Sequence, residues 1–159
     1  MGDLLVKLYD LPEATAAQER IASSGIQIKR PMAPERNLVV QWVAEHFSVR
    51  WSAEVEMAFS GHPVSCFVAL DESNHLIGFA CYDTTYKGFF GPTGVSESAR
   101  GIGVGTALLH RSMEAMREAG YAYAIIGYSG ADEYYAKAVG AIPIEGSEPG
   151  PYRDWIQPD

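Results

Sequence analysis

The chain has 159 residues, of which 47% are hydrophobic, and its formal net charge is −8. This length suits one globular domain with a sizeable core, and it excludes a second domain of ordinary size. The 12 Lys and Arg residues are scattered, which excludes a general nucleic-acid surface because neutralising phosphates needs clustered cations.

No apolar run approaches the about 18 residues of a membrane span, and no basic segment followed by an apolar one stands at the N-terminus. We therefore expect a soluble, cytoplasmic protein with no membrane partner. Cys66 and Cys81 lie in apolar, strand-like runs, and the four histidines show no ligand spacing with them. This predicts buried free thiols and no metal site.

The N-terminal half alternates short apolar strands with helical patterns. Pro12 stands near the start of the first helix, and Gly25 ends it. The turn 71–74 joins two apolar runs as a hairpin. The predicted elements are strand 4–9, helix 13–23, strand 26–30, helices 34–47 and 51–59, and strands 64–70 and 76–83.

The segment 87–95 has the composition of a strand but is interrupted by Gly91, Pro92 and Gly94. Proline cannot donate to a sheet ladder, and glycine within a strand often marks a bulge. We therefore predict a strand whose backbone is locally unpaired.

A βαβ unit follows from the order of the next elements. A helix is predicted over 106–119, an apolar strand over 121–127, and a short helix from Ser129 or Asp132 to Val139. The strands on either side of the long helix should be parallel neighbours. On that helix we expect His110 to face solvent, opposite an apolar stripe.

The sequence Arg100-Gly101-Ile102-Gly103-Val104-Gly105 joins the interrupted strand to the long helix. Such a turn presents unpaired N–H groups and the positive end of the helix dipole to a phosphate. A P-loop is excluded because Thr106 and Ala107 follow instead of Lys and Ser or Thr. The dinucleotide fingerprint is excluded because its third glycine would fall on Thr106 or Leu108. A glycine-rich turn without a ligand stays open.

The remaining pattern, Arg/Gln-x-x-Gly-x-Gly/Ala, is met by Arg100, Gly103 and Gly105. It resembles the acyl-CoA loop of the GCN5-related N-acetyltransferase (GNAT) superfamily. The resemblance covers about residues 26–145 and is strongest from Phe89 onward. It implies an α/β (α+β) fold, in which a mixed, mostly antiparallel twisted sheet is flanked by helices and a parallel strand pair splays at the CoA site.

The resemblance also implies a single acetyltransferase domain over 1–159. Residues 1–25 would be an added strand–helix element, 26–145 the GNAT core and 146–159 a C-terminal segment. In the family the loop amides hold the pyrophosphate of coenzyme A, and the splayed strand pairs with the pantetheine arm. The cofactor-binding residues implied for acetyl-CoA are Thr93, Val95, Arg100, Gly101, Ile102, Gly103, Val104, Gly105, Thr106 and Tyr135.

The pair Tyr134-Tyr135 before Gly140 resembles the second GNAT signature, whose tyrosine protonates the departing CoA thiolate. The usual spacing puts that tyrosine at Ala136, so Tyr135 takes the role if the helix end carries one extra residue. Alternatively, both tyrosines pack the helix on the sheet. The second implied catalytic group is the backbone N–H of Thr93, which would stabilise the oxyanion.

A general base is missing from its place in the family pattern. The family often uses a Glu on the bulged strand, and Phe89 stands near that position here. The substitutes are Asp83, Glu54 and Glu56, each of which could equally be a solvated or capping carboxylate.

Aromatic residues could form a wall for an acceptor, with Trp51 beside Glu54 suited to an ammonium group. Core packing is the alternative for them. The candidate acceptor residues are Trp51, Glu54, Tyr82, Asp83 and Tyr128.

The implied function is an acetyl-CoA-dependent N-acetyltransferase that acetylates a primary amine of a small molecule or peptide by direct attack in a ternary complex. Two alternatives stay open: a non-catalytic, GNAT-fold acyl-CoA-binding or regulatory protein, and a βαβ protein for another phosphate ligand. The segment 146–155 could form a strand at a homodimer contact or a flap over the cleft.

Overall fold

The computed structural model describes residues 1–159 and shows one sheet with helices on both of its faces. Three single-turn 3₁₀ helices accompany the longer elements. The strands are β1 (Leu4–Lys7), β2 (Gln27–Lys29), β3 (Cys66–Leu70), β4 (Leu76–Tyr82), β5 (Phe89–Val95), β6 (Tyr123–Ile126) and β7 (Ile142–Pro143). The helices are α1 (Thr15–Ser23), α2 (Arg36–His46), α3 (Val49–Ala58), α4 (Val104–Glu118) and α5 (Asp132–Val139).

The seven strands lie in the order β2-β3-β4-β5-β6-β1-β7. Every neighbouring pair is antiparallel except β5 and β6, which are parallel and joined by α4. This confirms the predicted fold class, including the single parallel pair.

The N-terminal strand lies inside the sheet. β1 pairs with β6 on one side, where Leu4 faces Ile126, and with β7 on the other, where Leu4 faces Pro143. α1 then packs against α4. The first 25 residues therefore contribute directly to the half of the molecule that contains the glycine-rich loop.

The two faces of the sheet bury separate cores because successive side chains of a strand point to opposite faces. On β4, Ala80 and Tyr82 belong to the core under α4, whereas Phe79 and Cys81 belong to the core under α2 and α3. Cys66 joins the second core, and both cysteines are buried free thiols, as predicted.

His110 corrects one expectation. The residue is buried rather than solvated, and its Nε2 lies 2.8 Å from the carbonyl oxygen of Ala138. The reason is tertiary: α5 covers this part of α4, which the pattern of α4 alone cannot show. Burial lowers the pKa of the His110 imidazole.

No helix of the chain has both the length and the apolar character that a membrane span requires.

Candidate active site

The parallel pair separates after two residue pairs, and this separation creates the site. Phe89 pairs with Ile125 and Phe90 with Ile126, after which β6 ends while β5 continues to Val95. The register of β5 against β4 also shifts here, between Ala80 and Tyr82. The predicted interruption of the strand is therefore present as a gap between β5 and the chain that follows β6.

The backbone of Thr93 and Val95 faces this gap. The Ser96 N–H donates to the Ile77 carbonyl at 2.9 Å, so these two residues form a hydrogen-bonded pair across β4 and β5. Hydrogen-bonded and non-hydrogen-bonded pairs alternate along an antiparallel ladder. Thr93 and Val95 consequently fall on non-hydrogen-bonded pairs, and their N–H and C=O groups point away from β4 into the gap.

A cavity of about 500 Å³ lies over the glycine-rich loop at the start of α4. Gly101 and Gly103 adopt left-handed φ angles of 84° and 96°, which an L side chain rarely tolerates. A Cβ at Gly101 would meet no atom within 4 Å, so the loop presents open backbone to the cavity. The predicted cofactor residues that line it are Thr93, Val95, Arg100, Gly101, Gly103, Val104, Gly105, Thr106 and Tyr135. Ile102 packs against the core beneath the loop.

Two arginines give the loop cavity its charge. Arg100 donates from Nε to the Val95 carbonyl at 3.1 Å, and Arg20 of α1 lines the same cavity. Neither forms a salt bridge with a carboxylate of the chain. The cavity thus combines a helix N-terminus with two uncompensated cations, a combination suited to a polyanion. Sequence reasoning missed Arg20 because no local motif surrounds it; only the packing of α1 on α4 brings it there.

A second cavity of about 890 Å³ lies on the other side of Thr93. Trp51 and Glu54 of α3 line it together with Tyr128, so three of the five candidate acceptor residues share one cavity. Tyr152 and Trp155 of the C-terminal segment complete its wall. The sequence signal for these two was the aromatic content of the segment, which here contacts the cleft. Its alternative role at a homodimer contact stays a prediction.

Glu54 is the only carboxylate that lines either cavity. Burial raises the pKa of its carboxyl group, while hydrogen bonds from the hydroxyls of Thr85 and Thr84 oppose that rise. Glu56, the neighbouring candidate base, instead lies 3.9 Å from the Arg36 guanidinium, in an exposed ion pair. The structure therefore favours Glu54 among the substitutes.

Tyr82 and Asp83 lie outside both cavities, contrary to expectation. The Tyr82 side chain is buried, and its hydroxyl accepts a hydrogen bond from Arg30 Nη1 at 2.7 Å. Asp83 accepts from the Gly88 N–H at 2.7 Å and from the Tyr121 hydroxyl at 3.0 Å. Alternation along β4 directs Tyr82 into the core, and Asp83 holds the following loop.

Tyr135 lines both cavities, as does Thr93. Burial, with a smaller contribution from Tyr134, raises the pKa of Tyr135 to about 12, so the phenol stays protonated at neutral pH. Its neighbour Tyr134 lines only the loop cavity, where its hydroxyl lies 2.9 Å from Thr106 Oγ1. A protonated hydroxyl thus stands where the two cavities meet.

Comparison with solved structures places this geometry in a known fold. The GCN5-related glucosamine N-acetyltransferase region of a fungal multi-domain GH3 β-N-acetylglucosaminidase aligns with a TM-score of 0.76 and 15% identity, covering 90% of this chain and 19% of that one. A GCN5-related N-acetyltransferase from Sphaerobacter thermophilus aligns with a TM-score of 0.68 and 20% identity, over 90% of this chain and 48% of that one. The chain therefore spans about one-fifth and about one-half of these proteins.

An N-acetyltransferase from Kribbella flavida gives a TM-score of 0.61 at 18% identity, over 89% of this chain and 53% of that one. Among curated proteins, no sequence matches significantly. The profile of the Acetyltransferase (GNAT) family matches residues 34–141, from the start of α2 to the end of α5. The chain belongs to the GNAT acetyltransferase family.

Proposed function

We propose that the protein is an acetyl-CoA-dependent N-acetyltransferase that acetylates a primary amine. The observation that carries the proposal is the meeting of two unlike cavities at Thr93 and Tyr135. One cavity offers open backbone and two arginines to a polyanion; the other offers one half-buried carboxylate and aromatic side chains to an acceptor.

The loop cavity fits the phosphates of coenzyme A. Its open face at Gly101 leaves room for an anion at the backbone, and Arg20 and Arg100 add charge where no carboxylate competes. In the proposed complex the loop amides and both arginines hold the phosphates. The C=O of Thr93 and the N–H of Val95 hold the pantetheine amides, because Arg100 Nε already donates to the Val95 C=O. When bound, acetyl-CoA supplies an acyl group that is already activated as a thioester.

Glu54 acts as the general base in this proposal. An alkylammonium group has a pKa of about 10 and must lose a proton before its nitrogen can attack a carbonyl carbon. A carboxylate in a partly buried cavity is a stronger base than one in water, because burial raises its pKa. Glu54 therefore takes the proton from the acceptor nitrogen, directly or through one water molecule.

Thr93 and Tyr135 serve the other two positions where charge develops. The free N–H of Thr93 donates to the oxygen that becomes negative as the new N–C bond forms. The Tyr135 hydroxyl donates its proton to the sulfur as the C–S bond breaks, and solvent restores it. The ammonium nitrogen thus loses two protons, one to Glu54 before it attacks and a second to solvent after the N–C bond forms, while the sulfur gains one from Tyr135. One proton is therefore released for each amide formed, and the transfer from thioester to amide is balanced.

Titration calorimetry with acetyl-CoA, CoA and ATP tests the cofactor. We expect heat with both CoA species and none with ATP, and no heat with either CoA species would contradict the proposal. CoA release across a panel of primary amines tests the reaction; CoA binding without release on any amine would support the non-catalytic alternative. A homodimer, a peptide acceptor and a cytoplasmic location stay predictions.

A further inference from the structure

The acceptor cavity is lined by aromatic side chains that remain partly exposed to solvent. Trp155 lines the cavity and is 49% exposed, and Tyr128 is 46% exposed. Tyr152 connects them: its ring centroid lies 6.1 Å from that of Trp155, at an interplanar angle of 22°, and 6.0 Å from that of Tyr128. The three rings therefore stand in a row along the cavity, with the Tyr128 ring tilted by 58° to that of Tyr152, and we call this row the aromatic wall.

The aromatic wall is fixed by the rest of the fold. The side chain of Ser147 accepts a hydrogen bond from the Asp3 N–H at 2.8 Å, which ties the C-terminal segment to β1. Gly127 has no side chain at the place where Tyr152 enters: a Cβ there would lie 2.5 Å from the Tyr152 hydroxyl. Arg50 lies over the Trp155 ring at 4.3 Å and supports it. The wall is therefore a preformed surface.

The charges of the cavity limit the acceptor to one ammonium group. Glu54 is its single carboxylate, and Arg50 contributes one positive charge at the rim. A polyamine or an aminoglycoside carries several ammonium groups, and each one needs a counter-charge when it leaves water. The cavity has no second carboxylate for them, and Arg50 would repel them.

We propose that the acceptor is a monoamine attached to a flat, apolar ring system, with the ring against the aromatic wall and the nitrogen directed to Glu54. This inference rests on the proposed N-acetyltransferase function and names its substrate class. Stacked aromatic pairs are stabilised beyond the burial of their area. Trp155 is accordingly a residue that determines specificity, with no part in the chemical step.

The test measures CoA release with four amines at matched concentrations: 2-phenylethylamine, hexylamine, spermidine and glucosamine. We expect kcat/KM for 2-phenylethylamine to exceed the other three values by about tenfold, the ratio that corresponds to about 1.4 kcal/mol. Trp155→Ala should remove this advantage by raising KM for the ring amine, while hexylamine changes less than about twofold. Trp155→Phe should restore it, because a flat ring remains.

Ile156→Ala is the matched control, since Ile156 is the next residue, 93% exposed, and does not line the cavity. Preference for spermidine, glucosamine or hexylamine would overturn the inference, as would an equal loss on all amines in Trp155→Ala. If no amine releases CoA, calorimetric titration of the amines onto the CoA-saturated protein decides the preference by Kd, and absence of binding also overturns it. Failure of acetyl-CoA itself to bind refutes the proposed function separately.

Discussion

The two cavities of this protein are built from different parts of the chain in different ways. The loop cavity is lined mainly by one continuous segment, from β5 through the start of α4, to which α1 adds Arg20 and α5 adds Tyr134 and Tyr135. The acceptor cavity is lined by segments that are distant in sequence: α3, the loop after β4, β5, the chain from the end of β6 to α5, and the C-terminal segment. Backbone sites depend on local conformation, whereas side-chain sites depend on packing between distant segments. The loop cavity is therefore suited to a constant ligand and the acceptor cavity to a variable one.

Glu54→Gln should give the largest effect. It should change the reaction of the acceptor and leave the binding of acetyl-CoA unchanged. Removing a general base lowers turnover by about 10²–10⁴-fold, while acetyl-CoA affinity by calorimetry should stay unchanged. Rates of CoA release for wild type and variant measure the loss. Unchanged turnover would show that the carboxylate has no part in proton transfer. It would also contradict the assignment of cofactor binding to one cavity and acceptor chemistry to the other.

The same variant has a defined effect on stability. Because burial raises the Glu54 pKa, the folded state binds this proton more tightly than the unfolded chain. The contribution of Glu54 to the free energy of unfolding is therefore fully present at pH values below the pKa that Glu54 has in the unfolded chain. It is lost as the pH rises through the pKa that Glu54 has in the folded protein. Glu54→Gln should therefore keep or raise Tm at neutral pH, and wild-type kcat/KM should rise with pH through the folded pKa. A lower Tm in the variant would indicate a structural role.

Gly105→Asp should weaken the binding of CoA in the loop cavity and leave the acceptor cavity unchanged. Gly105 has an ordinary φ, and a Cβ there would lie 3.6 Å from the Val95 side chain, so the backbone accepts the change. A carboxylate about 4 Å from a phosphate costs roughly 4 kcal/mol at an intermediate dielectric, which predicts CoA affinity at least about a hundredfold weaker. Gly105→Ala is the matched control, because it adds the same Cβ without charge. Equal affinity of the two variants would contradict the phosphate placement.

Tyr135→Phe tests the junction of the cavities. Loss of a positioned proton donor should lower kcat by about a hundredfold, with little change in the Kd of CoA or in KM for the amine. The phenol is buried and makes no hydrogen bond to another side chain, so the fold should tolerate its loss, as a thermal melt would show. Full turnover in the variant would assign Tyr135 to packing alone.

Arg20→Ala should give the smallest effect. Arg20 is an exposed side chain, so a contact with phosphate is partly screened by water and salt. We expect acetyl-CoA to bind about three- to tenfold more weakly, with a smaller dependence of Kd on salt. Arg117→Ala, an exposed arginine of α4 outside both cavities, is the control. Equal Kd values of the two variants for acetyl-CoA would show that α1 does not contribute to cofactor binding.

The sequence by itself determined the loop side of the molecule. Gly101 and Gly103 are needed because the backbone takes left-handed φ angles there, and the break in β5 follows from Gly91 and Pro92. Local conformation depends on residue type at each position, so the glycine spacing predicted the loop and the Gly and Pro residues predicted the unpaired strand. The resemblance to the GNAT superfamily implied the fold class.

Only the tertiary structure decided the acceptor side. Tyr82 and Asp83 are next to each other in the chain, yet one enters the core and the other holds a loop, while Tyr152 and Trp155 reach the cavity from the far end of the chain. Glu54 and Glu56 differ only in which face of α3 they occupy, and Arg20 acts at a distance through the packing of α1. No local pattern records such contacts, because they arise when segments far apart in sequence pack together.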